Sequence, residues 1–297
     1  MTPLSSTGWR LTRRVFLQSA AGALAAAAAP KADAPFRFGV VTDVHYADRP
    51  PAGTRHYRLG ISKLRAVAEF MNSQGAGFLI ELGDFKDQDA RPSEERTLAY
   101  LRDIEAVFRR FRGPRYHVLG NHDLDSITKG QFQAAVKNSG IPKERTWYSF
   151  RRRGYHFAVL DANFRKDMTP YNRGHFDWQD TNLSPDQTGW LHQDLRHAEG
   201  PCVVFVHQRL DECTSEPSVA NRIPVRQILE DSRKTPLVMQ GHSHSGGHQI
   251  INGIHYYTLA GSVEGGNAGD QTCAIVSISR SGRIEIAGYE RALSRSV

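Results

Sequence analysis

The stretch YHVLGNHDLD, residues 116–125, begins as an apolar β-strand and changes character at Gly120. Three polar side chains follow at once, Asn121, His122 and Asp123. A hydrophobic core does not accept such a cluster unless each group finds a partner, because burying an unpaired polar group is unfavourable. The pattern therefore predicts a strand that ends at a functional edge of a sheet.

Similar polar clusters follow other apolar runs of the chain. They comprise Asp43 and His45 in TDVHY, Asp84 and Asp87 in GDFKD, His207 in FVHQ, and His242 and His244 in GHSH. Residues i and i+2 of an extended backbone point to the same side, so we expect the pairs in TDVHY and GHSH to converge. Carboxylates, imidazoles and an amide, without cysteine, suit Mn²⁺, Fe or Zn²⁺.

Between these clusters, strand-like runs alternate with helical periodicity, which predicts an α/β fold. The strand-rich last third predicts a second sheet packed on the first, and we treat 35–297 as one domain. Helices are predicted at 57–73, 93–111, 129–138, 183–198 and 221–232. Strands are predicted at 36–43, 77–84, 115–120, 146–150, 155–161, 202–208 and 236–244, with more beyond.

Residues 1–34 have a different character. Arg13 and Arg14 precede a short, alanine-rich apolar run, a pattern that resembles a twin-arginine export signal. The alternative, a membrane-spanning or amphipathic helix, needs a longer and more apolar run to span. We therefore expect a signal peptide, the twin-arginine export machinery as a partner, a periplasmic or secreted location, and no permanent membrane span after processing.

Charge and cysteine content narrow the function classes further. Of the formal charge of +7, about +4 remains outside the predicted signal, spread over a large surface, and we predict no nucleic-acid partner. The three cysteines show no metal-ligand spacing. Cys202 and Cys273 lie in apolar runs, and a disulfide between Cys202 and Cys213 stays open.

Taken together, the motifs resemble the calcineurin-like metallophosphoesterases, whose signature is DxH, GD, GNH(D/E), H and GHxH. The chain carries every part of it in that order between Asp43 and His244. The resemblance implies a four-layer αββα sandwich of two mixed β-sheets flanked by helices. It also implies a binuclear metal-dependent hydrolase of phosphate esters that uses a metal-bridging hydroxide.

The resemblance assigns a role to each motif residue. Two divalent metal ions would be held by Asp43, His45, Asp84 and His244, and by Asp84, Asn121, His207 and His242, with Asp84 bridging. His122 would stabilise charge and protonate the leaving oxygen, and Asp87 would orient His122. Purple acid phosphatases carry a tyrosine ligand at the position of Asp87, so the tyrosinate–iron subclass is not expected. Asp123 would support a neighbouring ligand or cap a helix.

A finer similarity points to the manganese-dependent ADP-ribose/CDP-alcohol diphosphatase group. It rests on FGVVTDVHYAD, RHYRLGISKLRAVAEFMN, ELGDFKD and GHSHSGGHQIINGIHYYTLAGSVE. That group often has Gln where this chain has His45. We therefore expect a small phosphorylated substrate of the phosphodiester or nucleotide-diphosphate type. A phosphomonoesterase and a catalytically silent metal- or phosphate-binding protein remain the alternatives.

Two loops are candidates for contact with a substrate. The segment 163–181 offers Asn163, Phe164 and Trp178, and its aromatic rings would stack on a base. The alternative is that these aromatics pin the loop to the domain. The glycine-rich segment 262–271 would form a mobile rim.

Overall fold

A computed structural model describes residues 35–175, 177–212 and 217–297. The predicted signal at 1–34 and Cys213 lie outside the described residues. The strands of the described residues form two six-stranded sheets. The first sheet contains β1 (Phe36–Val41), β2 (Leu79–Glu81), β3 (Arg115–His117), β10 (Cys273–Ile278), β11 (Ile284–Tyr289) and β12 (Arg295–Ser296). The second contains β4 (Tyr148–Arg152), β5 (Tyr155–Val159), β6 (Cys202–Val206), β7 (Leu237–Gln240), β8 (Gly247–Ile251) and β9 (Ile254–Thr258).

Both sheets are mixed, as predicted. In the first, β1, β2 and β3 run parallel and β10 pairs antiparallel with β1. In the second, β5, β6, β7 and β9 run parallel, and β4 and β8 close the edges antiparallel. The second sheet that the strand-rich last third predicted is present. The strands of that third divide between the two sheets, because β10 to β12 extend the first and β8 and β9 complete the second.

In the part of the chain that the structure describes, five α-helices cover the outer faces of the sheets. They are α1 (Gly60–Ser73), α2 (Glu94–Phe108), α3 (Lys129–Ala135), α4 (Pro185–His197) and α5 (Arg222–Ser232). The side chains of Ser93, Thr128 and Ser184 cap α2, α3 and α4 by accepting a backbone N–H. The predicted helix at 57–73 starts with a 3₁₀ turn, Tyr57–Leu59, before α1.

Three apolar layers hold this arrangement together. The first lies between the sheets and is rich in phenylalanine, with Phe38, Phe78 and Phe157 packed ring against ring. The second joins α1, α2 and α3 to the first sheet, and the third joins α4 and α5 to the second. The predicted four-layer sandwich is thus confirmed, and the carboxyl ends of the parallel strands of both sheets meet at one edge.

Within the described ranges, no helix is both long and apolar enough to cross a bilayer. Cys202 and Cys273 are buried free thiols, as their apolar surroundings predicted.

Candidate metal centre

The predicted ligands come together at the carboxyl ends of β1, β2, β3, β6 and β7. Each strand ends one to four residues before its first ligand, so the ligands lie on the loops that leave the sheet edges. The side chains gathered there are Asp43, His45, Asp84, Asn121, His207, His242 and His244.

The backbone of this region adopts an uncommon conformation. Asp43, His45, Asp84 and His242 have φ of 50°, 46°, 55° and 69°, in the left-handed region that non-glycine residues seldom occupy. The expectation that the pairs converge from an extended backbone is therefore wrong, although the pairs do converge. A left-handed residue turns the chain sharply, so the ligands are aimed by loop geometry at a cost of about 1–3 kcal/mol each.

One group of ligand atoms surrounds Asp43. Its Oδ1 lies 3.4 Å from Nε2 of His244 and 3.7 Å from Nε2 of His45. The two imidazole Nε2 atoms lie 3.2 Å apart. Oδ2 of Asp84 reaches the same place, 3.5 Å from Nε2 of His45.

A second group lies on the other side of Asp84. Its Oδ2 is 3.2 Å from Nε2 of His207, and that nitrogen is 3.3 Å from Nδ1 of His242. Asn121 is buried beside Asp84 and adds an amide oxygen. Asp84 thus contacts both groups, as the bridging assignment requires.

The arrangement fits two divalent metal ions. Among the described residues, neither Oδ1 of Asp43 nor Oδ1 of Asn121 has a hydrogen-bond donor, although both atoms are buried. Imidazole nitrogens and carboxylate oxygens face one another across a few ångströms, which is unfavourable unless protons or cations lie between them. Two sets of converging O and N donors that share one carboxylate could hold two divalent ions side by side.

The outward nitrogens of three imidazoles are held by hydrogen bonds. Nδ1 of His45 faces Oδ2 of Asp87 at 3.1 Å, Nδ1 of His207 faces the carbonyl oxygen of Leu82 at 2.8 Å, and Nδ1 of His244 faces Oε1 of Glu264 at 2.7 Å. Each acceptor requires a proton on Nδ1, so each Nε2 presents its lone pair to the centre.

Glu264 was not predicted from the sequence. The hydrogen bond with His244 lowers the pKa of Glu264 to about 2, so the carboxylate is ionised at neutral pH. The buried ammonium of Lys63 on α1 donates to the carbonyl oxygens of Ser262, Glu264 and Gly265 at 2.9, 2.6 and 2.9 Å. The first residues of the predicted mobile rim are therefore tied to α1.

Asp87 lies between two histidines. Its Oδ2 accepts from Nδ1 of His45 and lies 3.7 Å from Nδ1 of His122, while its Oδ1 accepts the backbone N–H of Gln88. Burial alone would raise the pKa of Asp87, but the hydrogen bond with His45 and the neighbouring His122 lower it to about 2. The orienting role toward His122 stays a prediction, while the contact with His45 was not predicted.

Asp123 binds backbone groups of two ligand loops. Its buried carboxylate accepts the N–H groups of Asp84, Phe85 and Gly120 at 3.0, 3.0 and 2.9 Å. A Cβ on Gly120 would lie 2.2 Å from the backbone nitrogen of Asp84, so only glycine fits there. Two roles were predicted for Asp123, and these contacts correspond to the first, the support of a neighbouring ligand.

A cleft of about 310 Å³ opens onto the centre. His122, whose side chain is 26% exposed, lies on its wall, and the ring of Trp178 lies 6.2 Å from that of His242. The residues that line the cleft are Arg55, Asp84, Asn121, His122, Trp178, His242 and His244. Arg55 was not predicted as a site residue, because it lies outside the five ligand motifs, at the start of the segment that precedes α1.

Two predicted substrate contacts do not line this cleft. Asn163 is buried, with its Nδ2 on the carbonyl oxygen of Leu119 and its Oδ1 accepting from Gln208. Phe164 packs beneath the ammonium of Lys129, 4.0 Å from the ring centre. Both side chains contact the domain itself, so they anchor the loop, which was the alternative prediction. Trp178 differs from them, because it reaches the cleft.

Comparison with known proteins agrees with this geometry. The family model for calcineurin-like phosphoesterase matches residues 36–246. Manganese-dependent ADP-ribose/CDP-alcohol diphosphatases of Oryza sativa and Arabidopsis thaliana are 26% and 24% identical, each over 77% of this chain and over 84% and 86% of their own. The crystal structure of a dimetal phosphatase from Danio rerio has a TM-score of 0.75 at 20% identity, and the match covers 89% of this chain and 99% of that one.

Replacing Glu264 by Gln should weaken metal binding by about 10–100-fold, because His244 would lose its ionised hydrogen-bond acceptor. Titration of metal-free protein with Mn²⁺ or Zn²⁺ measures this directly. Glu285→Gln is the control, since Glu285 forms an exposed ion pair with Arg283. Equal affinities in Glu264→Gln and the parent protein would contradict the assigned role.

Proposed function

The chain belongs to the calcineurin-like phosphoesterase family, and from this premise we propose that it hydrolyses phosphodiester or diphosphate bonds of small nucleotide-type substrates with manganese as its metal. The observation that carries the proposal is the pair of ligand groups sharing Asp84, at the bottom of a cleft. The metallophosphoesterase activity follows from the family. The type of substrate, a diester or diphosphate of the nucleotide class, is our proposal.

The donor set determines what the centre can do to a phosphate. When bound, two divalent ions lower the pKa of a water molecule and neutralise charge on the phosphoryl oxygens. Only Asp43 and Asp84 among the ligands are carboxylates, and the others are neutral. The loaded site therefore keeps an excess of positive charge, which favours an anionic substrate.

His122 is the residue we assign to the leaving group. Its backbone N–H donates to Oδ1 of Asp84 at 2.7 Å, and its carbonyl oxygen accepts from Lys86. Nδ1 faces Asp87 and Asp125 at 3.7 and 3.9 Å, so Nε2 is the atom directed away from these carboxylates. Nε2 would stabilise the developing charge and deliver the proton to the departing oxygen.

Two observations favour a phosphodiester or diphosphate, in which the phosphorus carries two substituents, over a phosphomonoester. The curated relatives are named for diphosphatase activity on ADP-ribose and CDP-alcohols, and their similarity spans most of this chain. Trp178, 41% exposed beside His242, offers an aromatic face for a base. A phosphomonoesterase remains the first alternative. A silent binding protein is the second, and the complete ligand set argues against it.

Two substitutions separate metal binding from proton transfer. Asp84→Asn should lose bound metal and turnover together, because the shared ligand loses its charge. His122→Ala should keep two metal equivalents and lose about 10²–10⁴-fold in kcat on substrates with poor leaving groups. Metal analysis and steady-state kinetics measure both effects. Full activity of His122→Ala on a poor leaving group would rule out the acid role.

A substrate panel tests the choice of bond. We expect Mn²⁺-loaded protein to hydrolyse ADP-ribose and bis-p-nitrophenyl phosphate in preference to p-nitrophenyl phosphate, compared by kcat/KM. The reverse preference would establish the phosphomonoesterase. Bound metal in stoichiometric amount without turnover of any of the three would favour the silent binding protein.

We also propose export by the twin-arginine route, on the strength of Arg13 and Arg14 before the alanine-rich run. In a bacterial host, fractionation should find the protein outside the cytoplasm, and a variant with both arginines replaced by lysine should be retained inside. Export of that double variant at the parent level would contradict the assignment.

A further inference from the structure

The geometry points to Arg55 as the residue that binds the second, unattacked phosphate of a diphosphate substrate. This inference rests on the proposed function and names what selects a diphosphate over a simple diester. It assigns a specificity-determining contact to a residue outside every motif of the signature.

The guanidinium of Arg55 is available to a ligand. Arg55 lines the cleft and is half-buried. Within the described ranges, no carboxylate lies within ion-pair distance of it, whereas Arg58 in the same segment pairs with Asp48 at 2.6 Å and Arg49 lies 3.9 Å from Asp87. A half-buried cation that faces a cleft and has no anionic partner favours an anionic ligand.

The backbone of Arg55 is fixed relative to the centre. Arg55 forms antiparallel bridges with Ala52 and with Glu264, and the next residue, His56, donates its N–H to the carbonyl oxygen of Val263 at 3.0 Å. Glu264 is the residue that holds His244. Arg55 therefore lies on the His244 side of the cleft, and Trp178 lies on the His242 side.

The positive charge of Arg55 would favour a diphosphate over a simple diester. Ions held by the ligand residues would offset the charge of the attacked phosphate, but a diphosphate brings one more negative charge. Of the described residues that line the cleft, Arg55 is the only lysine or arginine. A guanidinium binds phosphate oxygens through two parallel hydrogen bonds, a geometry that Lys does not reproduce. The second phosphate would lie toward Arg55, and the other substituent of the attacked phosphorus would lie toward Trp178.

The test compares two substrates that differ in the second phosphate. In Arg55→Gln, the ratio of kcat/KM for ADP-ribose to kcat/KM for bis-p-nitrophenyl phosphate should fall about 10–100-fold, the usual effect of losing a charged hydrogen-bond pair. Arg55→Lys should recover part of that ratio. Arg58→Gln, a matched change on the exposed side of the same segment, should leave the ratio unchanged. An unchanged ratio in Arg55→Gln overturns the inference.

A binding measurement makes the inference independent of turnover. Calorimetric titration of Mn²⁺-loaded protein with α,β-methylene-ADP should give a Kd about 10–100-fold weaker for Arg55→Gln than for the parent protein. Equal affinities overturn the role of Arg55 even if the parent hydrolyses ADP-ribose. A parent protein that hydrolyses bis-p-nitrophenyl phosphate but neither hydrolyses ADP-ribose nor binds the analogue overturns the proposed substrate class, and the role of Arg55 with it.

Discussion

The close approach of Gly120 to Asp84 is the constraint on which the metal centre depends. The loops that leave β2 and β3 must nearly touch, so that one carboxylate can contact both ligand groups. Gly120 permits the approach because it has no side chain, and Asp123 stabilises it by accepting N–H groups from both loops. The buried carboxylate thus compensates for a strained backbone, since it satisfies donors that no strand partner reaches.

Sequence patterns located the residues that converge at the centre but not the residues that hold them in place, for a physical reason. Asp84 and Asn121 follow apolar strands directly, so local patterning places them at a sheet edge. Glu264 and Arg55 lie in segments without periodicity, and each acts through a contact far away in the chain. The left-handed conformation of Asp43 was equally hidden, because non-glycine residues rarely adopt it and composition gives no sign of it.

The two sides of the centre are supported by different parts of the fold. On the His244 side, Glu264 is held by Lys63, which links the ligand to α1. On the His207 side, the ring is held by Leu82, and Asn163 joins the carbonyl oxygen of Leu119 to Gln208. A buried cation thus stabilises the His244 side, whereas on the other side Asn163 is itself held by the carboxylate of Asp161, to which it donates at 2.9 Å.

The pairing of β1 with β10 also governs how the protein can be made. Phe36 faces Ile278 across this ladder, and the strand leads directly to Asp43. During synthesis β1 leaves the ribosome among the first described residues, yet one of its edges lacks a partner until Cys273–Ile278 has been added. The first sheet, and with it the ligand loop after β1, is therefore completed only after Cys273–Ile278 has been synthesised, more than 200 residues after β1. Until then, the open edge of β1 is a segment that chaperones would have to protect.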